Sequence, residues 1–168
     1  GHPAACSPGK RHRIMQAPEF ITVRHSDGYT AAARWWPGDP TGRPEPGGLC
    51  AGGAVLYFHG IQSHGEWFER SGSRLAEAGF AVLMPDRRGS GRNERDRGHA
   101  RSAGRLVADA VQWLDELRAR SRCDRVHVVG VSWGGKLALN LLRVRPRHVG
   151  SLALVAPGLF PIVDIPTA

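Results

Sequence analysis

Residues 125–136 read Arg-Val-His-Val-Val-Gly-Val-Ser-Trp-Gly-Gly-Lys, and no other stretch limits the possible fold as tightly. A short run rich in β-branched residues closes on Gly130-x-Ser132-x-Gly134. Leu137, Leu139, Leu141 and Leu142 follow, up to Pro146, so the pattern predicts a buried strand, a sharp turn and a helix. The spacing has a steric reason. A hydroxyl held at the tip of a strand-to-helix turn needs backbone angles that ordinary residues resist, and glycines two positions to either side let neighbouring chain pass without a Cβ clash. The helix points its N-terminal N–H groups and the positive end of its dipole at the same spot, which favours negative charge there. Ser132 is therefore a candidate nucleophile.

The surrounding elements supply context. Phe20–His25 and Tyr29–Trp36, joined by Ser26-Asp27-Gly28, predict a β-hairpin at a sheet edge. Residues 37–53 are rich in Pro and Gly and read as a loop. Ala54–Phe58 is apolar throughout, as expected of a strand covered on both faces. A helix over Trp67–Ala78 with Gly79 as its cap, a strand over Phe80–Met84, an amphipathic helix over Leu106–Leu117 and a sixth strand over Ser151–Ala156 follow. Strands alternating with helices make this an α/β chain with a mostly parallel sheet.

Two further turns bear on chemistry. His59-Gly60-Ile61 leaves a buried strand, and such a turn can aim the Ile61 N–H into the crevice above the sheet, opposite that of Trp133. His59 itself is expected to brace its loop rather than transfer protons. His64 either lines the site or faces solvent. In Pro85-Asp86-Arg87-Arg88-Gly89-Ser90-Gly91, Asp86 is expected to anchor the turn by accepting from following amides. Seven arginines lie from Arg87 to Arg105 and read as a solvated loop, with a surface for anionic lipid headgroups as the sharper alternative.

The 168 residues, 41% of them hydrophobic, suffice for one domain with a core. The net charge of +8 carries no nucleic-acid motif, and all but Lys10 and Lys136 of its 23 basic residues are arginines spread along the chain. No nucleic-acid partner is expected. Residues 1–17 form a basic Pro/Gly-rich segment read as disordered, with Met15 a candidate start. No apolar run approaches the roughly 20 residues of a membrane span, and no signal peptide is evident, which makes the cytoplasm the expected compartment. Cys6, Cys50 and Cys123 read as free thiols, and no spacing predicts a metal site.

Taken in order, His59-Gly60, Asp86-x-x-Gly89-x-Gly91 and Gly130-x-Ser132-x-Gly134 resemble the α/β-hydrolase fold, and within it the monoacylglycerol lipase, lysophospholipase and serine-aminopeptidase-like group. The resemblance implies an α/β-hydrolase domain over residues 18–160 with an N-terminal hairpin, helices on both faces and the last strands missing. Residues 161–168 would begin a lid or a truncated tail. It further implies a serine hydrolase of small-molecule carboxylic esters or lipids, without cofactor or metal. Ser132 would attack, and the N–H groups of Ile61 and Trp133 would form the oxyanion hole. His59, Gly60, Gly130 and Gly134 would support them.

Members of this group place an acid and then a histidine after the serine. Downstream of Ser132 this chain has only Asp164 and His148. His148 lies beyond the helix that leaves the site, about 20 Å away at 1.5 Å per residue, and Asp164 has no histidine to orient. Two readings follow: a hydrolase whose acid and histidine lie outside this chain, or a short noncatalytic protein that binds a ligand through the same crevice.

Overall fold

A computed structural model of the chain describes residues 16–38, 44–45, 49–50 and 52–159. The expectations for residues 1–15 and 161–168, Asp164 among them, lie outside these residues.

Strands β1 (Glu19–Arg24), β2 (Thr30–Trp36), β5 (Ala54–Phe58), β6 (Ala81–Pro85), β7 (Val126–Val131) and β8 (Val149–Val155) form one sheet in the order β1-β2-β6-β5-β7-β8. β6, β5, β7 and β8 pair in parallel, and β2 pairs antiparallel with both β1 and β6. The sheet is therefore mostly parallel with the expected N-terminal hairpin. Within the predicted loop, β3 (Pro44–Glu45) and β4 (Leu49–Cys50) pair as a small separate ribbon.

The connections α1 (Glu69–Glu77), α2 (Ala103–Ser121) and α3 (Gly134–Val144) cover both faces. On one face Leu56, Phe58, Leu83, Val126 and Val128 pack with Trp113, Leu114, Leu117, Leu137 and Leu141 of α2 and α3. On the other, Trp36, Val55, Tyr57, Val82 and Met84 meet Phe68, Leu75 and Ala76. The connections leaving β5 and β7, which are neighbours, thus depart to opposite faces. That divergence opens a crevice above their C-terminal ends, where open α/β sheets bind ligands.

Two expectations need correction. The arginine-rich segment is not uniformly solvated, because Arg88 is buried against Asp109 and Asp27, and Arg105 also pairs with Asp109. Cys123 is buried in the core and disulfide-bonded, so it is not the free thiol expected. Among the described residues no helix is long and apolar enough to cross a membrane.

Candidate active site

The turn between β7 and α3 carries Ser132 at a φ of +51°. Left-handed backbone costs a residue with a Cβ on the order of 1 kcal/mol or more and persists only where surroundings impose it. Here the Ser132 N–H donates to the Val155 carbonyl at 2.9 Å. The Ser132 carbonyl accepts from the N–H of Gly158 at 2.9 Å and of Gly135 at 3.0 Å. β8 and the chain just after it therefore hold the turn.

The flanking glycines are sterically required. A Cβ on Gly134 would lie 2.5 Å from the Phe58 carbonyl oxygen and 2.6 Å from that of His59. One on Gly130 would lie 2.7 Å from the Gly135 Cα and 2.9 Å from the Ala138 Cβ. One on Gly60 would lie 3.3 Å from the Ser132 Cβ, which brings the loop after β5 against the turn after β7.

Ile61 and Trp133 stand on these two loops, and neither N–H donates to a backbone carbonyl or side chain among the described residues. Both residues border a cleft of about 680 Å³. Ser132, half-buried, does not itself line the cleft.

His59 is committed to its loop. Its Nδ1–H donates to the Gly60 carbonyl at 2.8 Å, while its Nε2 accepts from the Arg87 N–H at 2.9 Å, which defines the neutral tautomer. Burial pulls its pKa down to about 4. Asp86, fully buried, accepts from the N–H of Gly65 at 2.7 Å and of Arg92 at 2.9 Å, and from Arg34 Nη1 at 3.1 Å. It anchors the turn as expected and ties it to the segment after His64. His64 borders the cleft, its ring tilted against Trp67. Among the described residues the His148 ring reaches only Asp124, ahead of β7 and so at the opposite end of the sheet. No histidine nitrogen lies within hydrogen-bond distance of the Ser132 hydroxyl among the described residues.

Arg87 was not singled out by the sequence. Its guanidinium donates to the Gly60 carbonyl at 3.1 Å and to the Ser90 hydroxyl at 3.2 Å, and lies over the Trp133 ring at 4.8 Å. It thereby clamps the two loops that carry Ile61 and Trp133. In sequence it stood out only as a member of the Asp86 turn and as the first of the seven arginines up to Arg105.

Residues 50–167 match the serine aminopeptidase S33 family. The chain is 24% identical over 155 residues to human monoglyceride lipase, a match spanning 92% of this chain and 48% of that protein. It is 30% identical over 113 residues to epoxide hydrolase A of Mycobacterium tuberculosis, spanning 67% of this chain and 34% of the other. Among solved structures, the thioesterase domain from the curacin biosynthetic pathway superposes with a TM-score of 0.68 at 26% identity, over 89% of this chain and 50% of that one. The chain thus spans about a half and a third, respectively, of the length of these two curated relatives.

Proposed function

Because this chain belongs to the serine aminopeptidase S33 family of the α/β-hydrolase superfamily, we propose that it is the nucleophile-bearing part of a serine hydrolase acting on carboxylic esters, of the monoacylglycerol or lysophospholipid kind. The observation that carries this reading is the left-handed Ser132, on the loop of Trp133 and against the loop of Ile61, beside Ile61 and Trp133 N–H groups that have no acceptor among the described residues. Strain kept at one residue beside unused donors supports a reacting site.

In this scheme the Ser132 Oγ forms a bond to the acyl carbon as its proton passes to a histidine base. The carbonyl oxygen gathers negative charge, and the Ile61 and Trp133 N–H groups donate to it. Collapse breaks the bond to the alcohol, which leaves with the proton, and water then releases the acid from the acyl-enzyme. The base and its orienting acid come from segments outside the described residues. His59 is not that base, since both of its ring nitrogens are engaged. The scheme uses no cofactor or metal.

The test is Ser132→Ala in the full-length protein. Turnover of short acyl esters should fall by several orders of magnitude, and stoichiometric labelling by a fluorophosphonate should vanish. Retained turnover would overturn the assignment.

A further inference from the structure

The cleft beside Ile61 and Trp133 is basic, and part of that charge is not neutralised. Among the described residues no acidic one lines it, whereas Arg87, Arg88, Arg97, His64 and His99 do. Arg88 is neutralised by Asp27 and Asp109. Arg87 is different: its half-buried guanidinium meets a carbonyl, a hydroxyl and an indole face, and no carboxylate among the described residues. Arg97 donates to the Gly91 carbonyl at 2.8 Å and likewise has no acidic partner among them, since its sequence neighbour Asp96 pairs with Arg95.

Two other arginines, Arg105 half-buried like Arg87 and Arg34 fully buried, show what the chain does with such a charge. Arg34 pairs with Asp86 and Glu69, and Arg105 with Asp109. A partly desolvated guanidinium without a counter-charge is costly unless an anion completes it. Its planar fork suits the two oxygens of a carboxylate or phosphate.

We propose that this cleft is a subsite for an anionic group, phosphate or carboxylate, carried by the substrate itself, with Arg87 and Arg97 as its cationic contacts. The inference rests on the esterase reading, which places the scissile carbonyl between Ile61 and Trp133 at the cleft's border. It narrows the substrate class to esters with a charged group a few bonds from the acyl carbon.

Calorimetric titration of the full-length protein with phenyl phosphate and phenylacetate, and with benzyl alcohol as the uncharged control, tests it. Both anions should bind and the alcohol should not. Arg97→Gln, at an exposed position, and Arg87→Gln should each weaken anion binding about tenfold or more, as expected for a lost charged hydrogen bond. Arg87→Lys should recover part of the loss. Equal binding by both Gln variants, or equal binding of the alcohol, would overturn the proposal. So would binding confined to phosphatidylglycerol vesicles with no uptake of phenyl phosphate. Fluorophosphonate labelling of Ser132, followed separately, reports on the nucleophile. Labelling lost with anion binding intact overturns only the esterase reading, and labelling intact without anion binding overturns this one.

Discussion

Gly134 leaves almost no room for change. The atoms a new Cβ would strike are backbone carbonyls of β5 and the loop after it, which cannot swing aside as a flexible side chain can. Gly134→Ala should therefore cost about 3 kcal/mol, at the upper end for overpacking, and should lower the urea midpoint measured by circular dichroism. His59 gives a prediction in pH. Its pKa is lowered from 6.5 to about 4 by burial, so above pH 6.5 it is neutral folded or unfolded. As pH falls from 6.5 to 4 the unfolded chain takes up a proton that the folded one refuses, and stability falls. The loss is complete below 4 and amounts to about 3 kcal/mol. Comparing His59→Asn with the parent should show their stability difference shrinking by about that amount between pH 7 and pH 4. His25, whose pKa burial also lowers, acts alike in both proteins and drops out of the comparison. A pH-independent difference would show that His59 titrates normally.

At the level of elements, α2 illustrates how caps and ion pairs extend what periodicity reveals. Hydrophobic spacing located Leu106–Leu117, whereas the helix runs Ala103–Ser121. It starts earlier because the Ser102 hydroxyl accepts the Arg105 N–H at 3.1 Å, and it stops at Arg122, whose φ is +57°. Its Asp109 looks like an ordinary polar residue in sequence but is buried. It accepts two hydrogen bonds from Arg88, at 2.9 and 3.0 Å, and lies 2.7 Å from Arg105 Nη2 and 3.5 Å from His25 Nδ1. This cluster ties α2 to the hairpin turn and to the Asp86 loop. Asp109→Ala removes two hydrogen bonds from the buried Arg88 and leaves it Asp27 as its remaining carboxylate, so it should cost about 3 kcal/mol in chemical denaturation. A loss under 1 kcal/mol would show that Arg88 finds water instead.

For the whole molecule the decisive feature is β8. Among the described residues it stands at the end of the sheet order with only β7 beside it, and Ser151, Ala153 and Val155 are exposed, Val155 by 51%. An edge of this kind pairs with other chains unless it is covered or charged. The 168-residue chain by itself should self-associate in light scattering, and Ala153→Lys should shift it toward monomer. Taken alone it should also fail to sustain ester turnover, because Ser132 has no histidine within reach among the described residues. Sustained turnover that disappears in Ser132→Ala would refute this and direct attention to His64.

The strands and helices, their mostly parallel arrangement and the Ser132 turn were legible in the sequence because each depends on local rules. These are apolar runs of strand length, helical spacing of leucines, and glycines where a Cβ cannot fit. The anchoring roles of Asp86 and His59 were legible only for their local bonds, from Arg92 to Asp86 and from His59 to Gly60, and not for those that reach Gly65, Arg34 and Arg87. Tertiary structure alone decided the rest. Arg87 clamps Gly60 and Trp133 across two loops, Asp109 gathers charges from α2, the hairpin turn and the Asp86 loop, and the strained angle of Ser132 is held by the carbonyl of Val155 and the N–H of Gly158. These contacts join residues far apart in the chain, and whether a charged side chain meets solvent or a partner depends on distances that one-dimensional patterning does not encode.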